Sequence, residues 1–161
     1  MATIVIEDGS GLLTSNSYAS EAELATYAED RGVVITGIES ELLITAMDYI
    51  EQQTFKGTKN TQPQALQWPR YGVVVDSYVI ESDTIPQLLK DCQMEAALAV
   101  DAGNNPSGSV ERSTKRETLG PMTVEYMDGA RDKVYNKSLE TKLTKLLQRG
   151  SGGISTIAIR A

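Results

Sequence analysis

The stretch Asn16–Gly32, NSYASEAELATYAEDRG, decides how the chain is read. Ser20 and Glu23 make the Ser-x-x-Glu capping box, in which each side chain satisfies a backbone N–H left unpaired at a helix start. Ala22, Leu24, Ala25 and Ala28 supply an apolar face, and Gly32 suits the left-handed residue that ends a helix. The spacing predicts a helix over about 20–31. A protein that opens on a capped, amphipathic helix invites a search for others of its kind.

Three more follow. Leu43, Ala46, Met47 and Ile50 recur at helical spacing, widened by Leu42 and Tyr49, and predict a helix over roughly 39–53. A third begins near Ile85-Pro86, with Asp83 or Thr84 as cap and Pro86 in the first turn, where a missing N–H costs nothing. Its stripe is Leu88, Leu89, Cys92, Ala96 and Ala99, and Gly103 with Asn104-Asn105-Pro106 ends it. A fourth, over roughly 132–148, places Val134, Leu139, Leu143, Leu146 and Leu147 inward, with Lys142, Lys145 and Arg149 towards its C-terminal end.

Between and around the helices the period changes. Thr3–Ile6 reads as a short strand. The segment Phe55–Ile85 is too long for an ordinary connection and reads as an ordered loop with short strands around Val73–Val75 and Tyr78–Ile80. Trp68, Pro69 and Arg70 are its expected structural anchor. A β-hairpin is expected at about 110–127, with Val110, Arg112 and Thr114 alternating on one arm and Met122, Val124 and Tyr126 on the other. The expectation is a mainly α fold: a small bundle of about four helices with a β-hairpin, a long ordered loop and an extended, β-prone C-terminal tail. Residues 1–149 form the domain, and 150–161 a glycine hinge followed by a strand-forming tail.

The chain holds no histidine and one cysteine, Cys92. Ser–His and Cys–His nucleophile pairs are therefore excluded, as is any internal disulfide. No metal site, cofactor fingerprint or catalytic set is expected, so the chain reads as no enzyme. No apolar run is long enough to span a membrane, and no signal peptide is visible. The net charge is −7 and the pI about 4.6. A nucleic-acid binder is usually basic, because affinity comes from neutralising phosphates. Lys56, Lys59, Arg70, Lys115, Arg116 and Arg131 could still touch phosphates. Tyr71 and Tyr78 flank the same loop and could stack bases.

The order of these motifs resembles a family. The segment ATIVIEDGSGLLTSNSYASEAELATYAEDRG, then AMDYIEQQTFKGTKNTQPQALQWPRYGV, then IPQLLKDCQMEAALA, is similar over roughly residues 2–147 to head–tail connector, or adaptor, proteins of tailed bacteriophages. That resemblance implies a structural protein of the virion neck, made in the host cytoplasm. It implies a ring of twelve copies beneath the portal protein, a downstream tail or stopper protein below, and transient contact with genomic double-stranded DNA in the channel. Lys115 and Arg116 would then face the channel, and Ile154, Ile157 and Ile159 would form a strand on the portal or a neighbouring subunit. Relatives of this family also carry the description of DnaT-like single-stranded-DNA-binding proteins. The alternative is therefore a single-stranded-DNA-binding replication accessory protein, with Tyr71, Tyr78, Lys56 and Lys59 contributing.

Overall fold

The computed structural model describes residues 2–107, 116–119, 122–125 and 136–148. Helix α1 spans Glu21–Glu29. Both halves of its capping box are present: the Glu23 N–H donates to Ser20 Oγ at 3.1 Å, and the Ser20 N–H to Glu23 Oε2 at 2.7 Å. Helix α2 spans Glu39–Glu51 with Ile38 at its N-cap and no side-chain cap bond. The loop before it is held from elsewhere. Asp101 accepts from Thr36 N–H, Thr36 Oγ1 and Gly37 N–H.

Two hairpins occupy the long loop. Strand β1 (Thr58–Lys59) pairs antiparallel with β2 (Arg70–Tyr71), and β3 (Val74–Val75) with β4 (Tyr78–Val79). Helix α3 spans Gln87–Asp101. Neither Asp83 nor Thr84 caps it. Pro86 itself is the N-cap, and its carbonyl accepts from Leu89 and Lys90. Strands β5 (Arg116–Leu119) and β6 (Met122–Glu125) form the third antiparallel pair, within the expected span 110–127. The expected arm Val110–Thr114 lies outside the described residues.

Helix α4 spans Lys137–Thr144, capped by Asn136, which accepts from the Leu139 N–H at 3.2 Å. It stops short of 148 because Leu146–Gln148 turn to pair with the long loop: Leu147 bridges Phe55, the Lys56 N–H donates to Leu146 O, and the Gln148 N–H to Thr54 O. Among the described residues this is a mainly helical domain with small antiparallel hairpins. Its core gathers Leu24, Leu43, Ile50, Leu89, Leu139 and Leu143, with α3 packed on α2, α4 and α1. No described helix is long and apolar enough to cross a membrane.

Thr3–Ile6 does not form the expected strand. It makes one parallel bridge, Ile6 to Ser17, and is clamped by Asn16, whose Oδ1 accepts from the Val5 N–H and whose Nδ2 donates to Thr3 O. The reason lies in the next residue. Glu7 is buried, and its carboxylate accepts from the N–H groups of Gly9, Gly11 and Leu12 and from Ser15 Oγ. That grip curls residues 8–15 into a loop and brings 16–17 back beside 5–6.

Candidate nucleic-acid interface

The long loop is built outward from the C-terminal end of α2. Glu51, in the last turn, accepts from Tyr18 Oη at 2.6 Å and from the Gln67 N–H at 2.8 Å. Tyr18 Oη in turn accepts from the Trp68 N–H at 3.1 Å. Burial pushes the Glu51 carboxyl above its ordinary value, offset in part by those two donors. Burial likewise pushes the Tyr18 phenol well up, with the Glu51 charge adding to it. The Asn-Ser-Tyr turn, the end of α2 and the loop are thus fastened by one short chain of hydrogen bonds.

The Trp68-Pro69-Arg70 segment sits at the centre of this fastening. Trp68 is fully buried and meets Phe55 edge to face, with ring centroids 6.0 Å apart. The Trp68–Pro69 peptide is cis. Arg70 spends its guanidinium on oxygens of the loop: Lys56 O at 2.7 Å, Gly57 O at 2.8 Å, Gln67 O at 3.1 Å and Gln67 Oε1 at 3.0 Å. It is therefore inward and unavailable to a phosphate. Gly57 has φ +69°, and a Cβ there would stand 2.3 Å from Tyr71 O. Only glycine fits where β1 begins against β2.

What the loop turns outward is different. Tyr71 is 55% exposed and Tyr78 is 79% exposed. They stand on β2 and β4, separated in sequence by β3 and its turn. Val74 and Val79, paired across the second hairpin, are also exposed. Asp76 and Ser77, at φ +50° and +72°, make the two-residue turn between β3 and β4. Positive φ at both central positions is the geometry of the type I′ hairpin.

The cations around these tyrosines are not equivalent. Lys56 Nζ donates to Lys145 O at 2.6 Å, placing a positive charge at the C-terminal end of α4. Its first role is to tie the loop to that helix. Lys59 pairs with Arg70 across the hairpin, while Tyr71 pairs with Thr58. Successive strand residues point to opposite faces, so Lys59 lies on the Arg70 face and not beside Tyr71. Lys145 was read from sequence only as a helix-end cation. The structure brings it to the tip of the second hairpin, where Lys145 Nζ pairs with Asp76 Oδ2 at 3.1 Å. VVVDSYVI, turn chemistry between β-formers, signals the hairpin tip but not the lysine 69 residues away that meets it.

The remaining expected positions fall elsewhere. Arg116 opens β5, in register with Glu125. Lys115, the hinge, and Ile154, Ile157 and Ile159 lie outside the described residues. Cys92 is buried in the core and its thiol is pushed up to about 12 by burial, so it is inert at neutral pH. Among the described residues no cluster of acidic or cysteine side chains could hold a metal ion.

No curated protein and no solved structure matches the chain. A family model described as "Putative DnaT-like ssDNA binding protein" matches residues 2–161. This overturns the reading as a head–tail connector, and with it the twelve-copy ring, the portal protein, the tail or stopper neighbour and the channel of genomic double-stranded DNA. Asn16, Tyr18, Trp68 and Arg70, which lie in the segments that carried that resemblance, serve to hold the domain together. The match runs from the second residue to the last, and the chain belongs to the family that carries this description.

Proposed function

We propose that this chain binds single-stranded DNA through the outward face of its long loop, and that it does so without catalysing a reaction. Tyr71 and Tyr78 stack bases, and Lys145, with Lys56 behind it, meets the backbone between them. The observation that carries the reading is the pair of exposed tyrosines on successive hairpins, with Lys145 paired to the turn of the second, in a member of this family. Aromatic platforms bind single strands because an unpaired base offers a free ring face, whereas a duplex hides both.

The acidity of the chain is compatible with this. Residues 55–85, the loop itself, hold three acids and three bases, so the loop carries no net charge although the whole chain carries −7. A whole-chain charge hides that local balance. A phosphate within about 10 Å of a lysine responds to the local field, since salt screens the rest.

Fluorescence anisotropy with labelled oligo-dT tests the proposal. Stacking contributes about 1–3 kcal/mol per base, so Y71A and Y78A should each weaken binding by roughly tenfold or more at low salt. Affinity unchanged in both variants would place the site elsewhere.

A further inference from the structure

The Lys145–Asp76 pair has a consequence for regulation of the loop face, one that rests on the reading of that face as the DNA site. We propose that Asp76 acts as a built-in competitor for phosphate: its carboxylate occupies Lys145 in the free protein, and DNA must displace it.

Four observations carry this. The pair closes at 3.1 Å between Lys145 Nζ and Asp76 Oδ2, and the two side chains are 51% and 70% exposed. Pairs so open to water hold weakly and exchange readily. Asp76 lies in the turn between β3 and β4, two residues from Tyr78, so the cation it holds sits at the tip of the hairpin that carries that tyrosine. Its partner is anchored: Lys145 follows α4 directly, and its carbonyl is held by Lys56 Nζ at 2.6 Å. The hairpin tip and the helix end are thus both fixed, and only the side chains need to move. A carboxylate and a phosphate offer a lysine the same thing, an anionic oxygen acceptor. The device sets a threshold on binding: a lone phosphate gains little by replacing Asp76, whereas a strand that also stacks on Tyr78 gains both contacts.

D76N tests this cleanly, because asparagine suits a type I′ turn at least as well as aspartate does and the hairpin should persist. Binding of labelled oligo-dT to the full chain is measured across a salt series for wild type, D76N, K145Q, D76N/K145Q and E81Q. Glu81 is an exposed acid just beyond β4, and E81Q changes the net charge by the same amount. The expected result for D76N is about fivefold tighter binding and a salt slope steeper by about 0.7, the value of one phosphate contact on a single strand. E81Q should show clearly less of either effect, and the gain should vanish in D76N/K145Q. A D76N gain equal to that of E81Q, or one that survives removal of Lys145, would overturn the competitor role while leaving the DNA site standing. Failure of both wild type and D76N to bind would overturn the two together.

Discussion

Replacing Gln93 with leucine should cost this fold more than almost any other single change on α3. Gln93 is fully buried. Its Oε1 accepts from the Tyr18 N–H at 2.9 Å and the Ala19 N–H at 3.0 Å, and its Nε2 donates to Ser17 Oγ at 2.7 Å and Leu43 O at 3.2 Å. Leucine has nearly the same bulk and no polar atom. Ser17 Oγ keeps a partner through its bond to Ala19 O. Tyr18 and Ala19 do not: both are fully buried, and their N–H groups would lose the acceptor they share, the only one they have among the described residues. Each stranded donor costs about 1–3 kcal/mol, so Q93L should lose roughly 4 kcal/mol, slightly offset by the apolar gain. For a chain of this size that is about 8–16 °C in Tm. Urea unfolding followed by circular dichroism measures it, with Q87L on the exposed first turn as comparison. A loss in Q93L below about 1 kcal/mol would show that residues 17–19 find other acceptors.

Other substitutions probe the loop and its fastenings. G57A meets both a left-handed backbone and a carbonyl 2.3 Å from the new methyl, so it should lose at least about 2 kcal/mol and reduce DNA binding in step with the misfolded fraction. Glu51 titrates above its ordinary 4.5 when folded. The folded chain therefore holds that proton more tightly than the unfolded chain does, and this group's contribution is most favourable at low pH and is lost as pH rises through the folded value. The stability of wild type relative to E51Q should fall from pH 4.5 upward and then level off; a difference flat across that window would refute it. Asp101 lies in the opposite sense, its carboxyl held below the ordinary value chiefly by the Thr36 N–H. D101A should speed amide exchange at Thr36 and Gly37 and leave Leu43 protected.

The helices were legible because their signals are local. Ser20 and Glu23 announce α1 within four residues, and the apolar periods of α2 and α3 repeat several times over. The strands β3 and β4 were legible from VVVDSYVI for the same reason. Gln93 was not, because its partners at 17–19 lie some 75 residues away and a lone glutamine on a helix reads as solvent-facing. The strand expected at Thr3–Ile6 failed for a related reason: β-propensity gave way to the Glu7 carboxylate, whose burial no pattern of alternation reveals. At the candidate site, Tyr71 and Tyr78 were readable as exposed aromatics, but the orientation of the cations was not. Arg70, expected as a loop anchor and as one of several cations able to touch phosphate, points inward, and Lys145, expected as a helix-end charge, meets the hairpin tip.

The most direct measurement is equilibrium binding of the full chain to labelled oligo-dT, and to a duplex of the same length, between about 50 and 200 mM salt. The account predicts binding to the single strand that weakens as salt rises, little binding to the duplex, and loss of the single-strand complex in Y71A/Y78A. No single-strand binding at the lowest salt, or equal affinity for the duplex, would contradict it.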